Sequence, residues 1–256
     1  MQALLQDIQK DLLAFIILLS LLSGFILSLI HFFKPGLISE HPKRAALVLS
    51  AFLLLGFPAI LDLIPVGGFA AYFGVAIILI LILNLVTIAL EVRKGSFQSF
   101  LETGSRRVLP FLIAGGLVTA GYLAYVETTS TLVICGVEYS GCETVQTSSY
   151  ATLLGFLPTA VLGLLGYLAI LTVWLVANSR LQKLHYLARL TQWGLALFGV
   201  LFSIYLTYLE VFVIHATCSW CVTSAVFMNA LLWYSTPPAA AGYLKKQQEL
   251  EDEEED

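Results

Sequence analysis

Tyr205–Met228, with the sequence YLTYLEVFVIHATCSWCVTSAVFM, places two cysteines between two apolar runs. Cys218 and Cys221 have C-x-x-C spacing and open the second run, which is predicted to be a membrane helix with Thr217 as its N-cap. Residues three apart lie on one helix face, so the two sulfurs can meet. The positive end of the helix dipole favours the reactive thiolate. A dithiol at this edge can face a protein in water and a lipid-soluble molecule in the bilayer.

The composition of the chain is that of a membrane protein. Its 256 residues are 59% hydrophobic and only 12% charged, with a mean hydropathy of +0.88, whereas a soluble domain carries about twice that charge. Several apolar runs reach the roughly 20 residues that cross a bilayer. We therefore predict an all-α polytopic membrane protein. Lys and Arg form no basic face laced with aromatic residues, so the sequence offers no nucleic-acid site.

Seven transmembrane helices are predicted, and the basic residues orient them. Twelve of the thirteen Lys and Arg residues fall in four clusters, which share one side of the membrane if there are seven spans. Because cytoplasmic loops are enriched in Lys and Arg, the N-terminus is predicted to face out and the C-terminus to face the cytosol. Residues 238–256 are predicted to form a disordered, acidic, cytosolic tail. The predicted spans are 12–33, 45–64, 69–90, 108–126, 158–178, 190–214 and 218–235.

All four cysteines fall on the outer side of this topology or at its edge. Cys135 and Cys142 lie in the loop after the fourth span, and Cys218 and Cys221 follow the sixth. The outer compartment is where disulfides form and persist. Four cysteines allow three pairings, and we expect two local pairs that can also exchange with each other.

A break precedes the fifth span. From Tyr150 to Asn178 the apolar run is too long for one upright helix at about 1.5 Å per residue, and Gly155 and Pro158 divide it. Pro158 suits the first turn of a helix, which leaves a span of ordinary length. Residues 148–157 are then predicted to form a half-helix that lies across the outer face and covers the C-x-x-C pair.

An internal similarity links the two cysteine-bearing regions. Tyr122–Glu127 reads YLAYVE and ends eight residues before Cys135, while Tyr205–Glu210 reads YLTYLE and ends eight residues before Cys218. The similarity is either a diverged two-helix repeat, which would bring both cysteine pairs to one height, or a coincidence of apolar sequence. Glu210 is either a proton relay within the membrane or an acid close to the interface.

Residues 108–237 resemble the vitamin K epoxide reductase family, specifically its bacterial quinone-linked members. The two cysteine pairs, in order and with helices between them, make the resemblance specific over about half of the chain. Residues 1–107, with three extra transmembrane helices of unknown role, lie outside it. Ala225 departs from the tyrosine of the vertebrate enzyme, which argues against vitamin K epoxide chemistry. The matching features are Cys135-x6-Cys142, Cys142-x5-Ser148-x-Tyr150, Leu-Gly-Leu-Leu-Gly-Tyr at 162–167, Tyr205-Leu-Thr-Tyr-Leu-Glu210 and Cys218-Ser-Trp-Cys221-Val-Thr-Ser-Ala.

The resemblance implies a four-helix bundle in the C-terminal half that holds a quinone, either menaquinone or ubiquinone. It implies that Cys221 lies against the quinone ring and that Cys218 exchanges with Cys142. Cys135 would receive electrons from a thioredoxin-like protein on the outer side, and we expect this partner to be a separate chain. Besides Cys221, the predicted quinone contacts are Ser148, Phe156 and Trp220.

The function that the resemblance implies is that of a thiol–disulfide oxidoreductase of the cell (inner) membrane, which supports disulfide formation in exported proteins. Two other functions are open from the residues. Four outer thiolates with C-x2-C and C-x6-C spacing could hold zinc in a metal-binding or transport protein, or both pairs could be static disulfides of a structural subunit. We assign no metal ligand.

Overall fold

The computed structural model of the chain describes residues 2–34, 97–133, 135, 141–153, 155, 157–180 and 184–255, together with five single helical positions between 75 and 86. Its helices are α1 (Gln2–Phe33), α2 (Phe97–Thr129), α3 (Cys142–Gln146), α4 (Thr159–Ala177), α5 (His185–Leu209) and α6 (Ser219–Glu255). A π-helical segment, Glu210–Ile214, extends α5, and two short strands, β1 (Thr152–Leu153) and β2 (Leu157–Pro158), precede α4.

Three helices within the described ranges are long and apolar enough to cross a membrane: Arg106–Thr129, Thr159–Ala177 and His185–Ile214. A shorter apolar helix covers Ile17–Phe33 within α1. These helices confirm the prediction of an all-α membrane protein. Apart from single positions, the predicted spans 45–64 and 69–90 lie outside the described residues, so the count of seven stays a prediction.

Most of the predicted span 218–235 lies in α6, which is not among those three helices. It packs against α1, α2 and α5. Its buried side chains include Thr223, Asn229 and Thr236, which are 1%, 4% and 0% exposed. A helix that is surrounded by protein does not need an apolar surface on every side, and its small polar residues can bond to adjacent helices.

The helices of the C-terminal half form a ring in which α2 and α5 each contact both α4 and α6, and α1 packs on α5 and α6 from outside. The Ser28 and Thr236 hydroxyls are hydrogen bonded at 2.8 Å, and Trp193 Nε1 donates to Ser28 Oγ at 3.3 Å. The ring of Phe32 stacks on that of Trp193, with centroids 4.1 Å apart. Although α1 precedes residues 108–237, it contacts two helices of that region, α5 and α6.

The half-helix predicted over residues 148–157 is wrong for the part of this segment that the structure describes. The short helix α3 lies before it, and the segment itself turns into the β1–β2 pair, in which Thr152 faces Pro158 and Leu153 faces Leu157. Gly155 has a φ of +77°, a left-handed conformation that reverses the chain and that only glycine adopts freely. Pro158 then precedes α4 directly, as the predicted start of the fifth span requires.

The tail also differs from its prediction, because α6 continues as a helix to Glu255 instead of becoming disordered after residue 237. Glu249 lies 3.8 Å from the Lys245 ammonium and 3.4 Å from that of Lys246. Pairs of opposite charge at this helical spacing stabilise an exposed helix, so the charges that suggested a solvated coil also support helix. The cytosolic location of this tail stays a prediction.

Candidate redox site

The loop between α2 and α3 contains a disulfide. Cys135 and Cys142 are bonded to each other, with their Cα atoms 6.6 Å apart. Cys142 opens α3 and is 1% exposed, whereas Cys135 is partly exposed. Cys218 and Cys221 are free thiols. Of the three possible pairings, the structure therefore shows a local one, with the loop pair oxidised and the C-x-x-C pair reduced.

The C-x-x-C pair sits at the start of α6, one residue away from the predicted position. The helix begins at Ser219, so Cys218 and not Thr217 precedes its first residue. The Cys221 N–H donates to Cys218 Sγ at 3.4 Å, and the Val222 N–H donates to the Cys218 carbonyl at 3.0 Å. The sulfur of Cys218 thus takes the place of the hydroxyl oxygen in an ordinary N-cap.

Glu210 binds the backbone of this pair from the end of α5. At Glu210 the helix α5 widens into the π-helical segment, and His215 ends it in a left-handed conformation with φ 55° and ψ 35°. Ala216 N–H then donates to the Glu210 carbonyl at 3.0 Å, which turns the chain back towards α6. The Glu210 side chain is 3% exposed, and its Oε2 accepts the Cys218 N–H at 3.3 Å. The Cys221 thiol is close enough to interact with the same carboxyl group.

The two cysteine pairs meet in one buried cluster. Its fully buried members are Leu123, Cys142, Cys218 and Trp220, and Cys135 and Cys221 pack against it. Gly141 permits this approach: a Cβ added there would lie 2.5 Å from Ala216 Cβ and 3.0 Å from Thr217 N. Since Cys142 and Cys218 are both at most 1% exposed, water has little access to the space that they share.

Cys221 also lines an open cleft. Of the predicted quinone contacts, the cleft brings together Ser148 and Cys221. The Ser148 hydroxyl donates to the Val145 carbonyl at 2.7 Å, which holds it at the end of α3. The cleft is lined by Val145, Gln146, Ser148, Tyr150, Ala151, Thr159, Leu206, Leu209, Glu210, Ile214 and Cys221.

The structure places Trp220 elsewhere. Its side chain is 1% exposed and belongs to the cysteine cluster, with its ring centroid 4.4 Å from that of Tyr122. It does not line the cleft, so the structure gives no support to its predicted role as a quinone contact. Trp220 and Cys221 are adjacent in the first turn of α6, so their side chains point in different directions. Cys221 lines the cleft, whereas Trp220 does not. Phe156 lies outside the described residues.

Some residues of the cleft were missed from the sequence. Leu206 lies four residues before Glu210, so the two share a helix face, and this spacing could have identified it. Gln146 carried no comparable signal. Its carboxamide oxygen is buried and has no hydrogen-bond partner among the residues that the structure describes, so a polar acceptor is available at the wall of the cleft.

The four-thiolate alternative is not supported in this state, because two of the four sulfurs are bonded to each other. Within the described ranges, no group of three or more His, Cys, Asp and Glu side chains is arranged to hold a metal ion. Exchange between a disulfide and a dithiol needs only that the sulfurs can approach, and the shared cluster provides this.

A comparison with known protein families matches residues 107–236, about half of the chain, to the model described as "Vitamin K epoxide reductase family". The matched range contains both cysteine pairs, the cleft and Glu210. It begins within α2 and ends within α6, while α1 precedes it.

Proposed function

The chain belongs to the vitamin K epoxide reductase family, a family of membrane oxidoreductases, and on that premise we propose that it oxidises a thioredoxin-like protein and passes the electrons to a quinone. The observation that carries the proposal is the position of Cys221. Cys221 packs against the cluster that contains Cys142 of the loop disulfide, and it also lines the cleft. A thiol in this position can receive electrons from the thioredoxin-like protein through the loop cysteines and can pass them to a quinone in the cleft.

The first exchange takes place at Cys135. It is partly exposed, whereas its disulfide partner Cys142 is buried. Since a thiolate must approach the sulfur that it attacks, a protein partner reaches Cys135 and releases Cys142 as a thiolate. The partner forms a mixed disulfide with Cys135. The second thiol of the partner then attacks this bond, so the partner leaves with an internal disulfide and Cys135 is released as a thiol.

The second exchange takes place inside the cluster, when the C-x-x-C pair is in its oxidised state. Cys142 shares this buried space with Cys218, so the Cys142 thiolate attacks the Cys218 sulfur and Cys221 is released. Cys135 then attacks Cys142, which restores the loop disulfide and leaves Cys218 and Cys221 reduced. This product has the same pairing as the structure.

The cleft suits a quinone in the chemistry of its lining. Small-molecule sites are mostly apolar with a few polar groups, and the lining of this cleft has that composition. Leu206, Leu209 and Ile214 offer apolar walls, and the Tyr150 hydroxyl can donate to a quinone oxygen. The Ser148 hydroxyl can do the same only if it leaves the Val145 carbonyl. A quinone accepts two electrons and two protons, and the Cys218–Cys221 dithiol supplies both. Quinones are more oxidising than protein dithiols, so this direction is downhill.

We place the cysteine pairs on the outer side of the inner membrane, with the N-terminus out and the C-terminus cytosolic. The distribution of Lys and Arg supports this orientation. The net product is a disulfide in the partner, which can be passed on to exported proteins. Menaquinone, a naphthoquinone, and ubiquinone, a benzoquinone, are both candidates for this quinone.

The test is steady-state quinone reduction by purified protein in detergent or nanodiscs, with a small dithiol as reductant and each quinone in turn. We expect activity in the wild type, and a loss of at least about 100-fold in Cys221→Ala and in Cys218→Ala. Retained activity in either variant contradicts the proposed electron path.

A further inference from the structure

The internal similarity between YLAYVE and YLTYLE has a structural counterpart. Glu127 ends the first motif, and its Oε2 accepts the N–H of Ala160, the second residue of α4, at 3.1 Å. Glu210 ends the second motif, and its Oε2 accepts the N–H of Cys218 just before α6 at 3.3 Å. Each acid lies at the end of one long helix and binds the start of the next. A carboxylate at a helix N-terminus accepts hydrogen bonds from free N–H groups and interacts favourably with the helix dipole. Because Glu127 and Glu210 share this role, we favour a diverged repeat over coincidence.

The two acids differ in what else they touch. Around Glu127, the start of α4 carries no cysteine. Glu210 lies beside the Cys221 thiol as well, because both residues line the cleft and Glu210 binds the backbone of the C-x-x-C motif. Glu210 is 3% exposed and, within the described part of the chain, forms no ion pair with a basic side chain. A buried carboxylate without a cation is costly, so Glu210 binds a proton more readily than an exposed acid and can take up the thiol proton as Cys221 is oxidised.

We propose that Glu210 is a catalytic residue that accepts the proton of the Cys221 thiol, whereas Glu127 serves only to hold the start of α4. The inference rests on the proposed function. In the step, the S–H bond of Cys221 breaks and its proton moves to a Glu210 carboxylate oxygen. Cys218 and Cys221 lose two electrons and form their S–S bond. The two electrons go to the quinone, with one proton from Glu210 and one from the Cys218 thiol. The hydroquinone leaves, and Glu210 is again a carboxylate.

The matched variants are Glu210→Gln and Glu127→Gln. In both, the amide oxygen can still accept the backbone N–H, but the side chain cannot take a proton. A purely structural role of Glu210 therefore predicts the same small effect for both. Proton transfer to a positioned side chain contributes about 10²–10⁴-fold in rate. We expect E210Q to reduce quinone at least about 100-fold more slowly than wild type with a small dithiol, and E127Q to stay within about 3-fold.

A second readout does not involve quinone. Iodoacetamide reacts with thiolate, and mass spectrometry resolves its reaction at Cys221 from that at Cys218. If Glu210 shares the Cys221 proton, the two groups titrate together, so we expect the pH profile of Cys221 alkylation to show two titrations in wild type and in E127Q, and only one in E210Q. An unchanged pH profile in E210Q overturns the role of Glu210. If the wild type reduces no quinone, the proposed function fails, while alkylation still decides whether Glu210 takes the proton.

If E210Q does not fold, as judged by loss of the Cys135–Cys142 disulfide, the folded E127Q protein supplies the test. Infrared difference spectra during quinone reduction are then expected to show the transient carbonyl band of a protonated carboxylic acid. Absence of that band during turnover overturns the proposal.

Discussion

Gly141→Ala is expected to separate the two cysteine pairs while leaving each pair intact. Gly141 precedes α3 with φ −70° and ψ 18°, a backbone conformation that alanine adopts without strain. The effect of the substitution is therefore steric. The new Cβ would lie 2.5 Å from Ala216 Cβ, about 1 Å short of the favourable carbon–carbon distance of about 3.5–4.0 Å.

The magnitude follows from the cost of overpacking. An added methyl in a packed site costs about 1–3 kcal/mol. The clash is relieved if α3 moves away from Ala216. The arrangement in which Cys142 and Cys218 share a cluster is then less stable by this free energy. The population of that arrangement then falls by about 5- to 150-fold.

The assay uses a protein that retains only Cys142 and Cys218, made as Cys135→Ala with Cys221→Ala. The protein is equilibrated with glutathione redox buffers, and the fraction with a Cys142–Cys218 disulfide is measured by mass spectrometry. We expect Gly141→Ala to lower the equilibrium constant for this bond by about 5- to 150-fold. The control is Gly163→Ala in α4, where an added Cβ meets nothing within 4 Å.

Two results would refute the reasoning. The bond could form as readily with Gly141→Ala as with the parent protein, which would show that close contact at Gly141 does not position Cys142. Alternatively, Gly163→Ala could weaken the bond by the same factor, which would show a general effect of substituting glycine in this bundle.

The remaining predictions concern α1 and the loop disulfide. Phe32→Ala should lower the free energy of unfolding by about 3 kcal/mol, because the buried ring stacks on Trp193; thermal unfolding in detergent measures it. Phe33→Ala is the control, since that ring is 69% exposed, and equal destabilisation would contradict the packing of α1. Cys135→Ala should block reduction by a thioredoxin-like protein but leave reduction by a small dithiol intact, as followed by quinone reduction. Loss of both reactions would contradict the assigned roles.

The features that the sequence predicts well depend on local chemistry. Pro158 lies directly before α4 because its missing N–H suits a helix start. The local Cys135–Cys142 pair follows from closeness in sequence and an oxidising compartment. The long apolar runs predict membrane helices because their length must match the bilayer.

The features that were missed depend on unusual backbone conformations or on contacts between distant segments. The half-helix over residues 148–157 looked continuous in hydropathy, but the left-handed Gly155 turns the chain into paired strands. The burial of Glu210 depends on a π-helical segment and on His215 in a left-handed conformation, which is uncommon for residues other than glycine, asparagine, aspartate and histidine. The contact of α1 with α6 depends on Ser28 and Thr236, which are 208 residues apart.

The central claim is that electrons cross from one cysteine pair to the other before they reach the quinone, and a single-turnover experiment tests it most directly. Protein with an oxidised loop pair and a reduced C-x-x-C pair, as in the structure, is mixed anaerobically with one equivalent of quinone, and the disulfides are mapped. The account predicts one hydroquinone per newly formed Cys218–Cys221 bond. A subsequent equivalent of thioredoxin-like dithiol then returns Cys218 and Cys221 to thiols while Cys135–Cys142 is again bonded. Hydroquinone formed without a Cys218–Cys221 bond, or a C-x-x-C disulfide that the partner leaves oxidised, would contradict it.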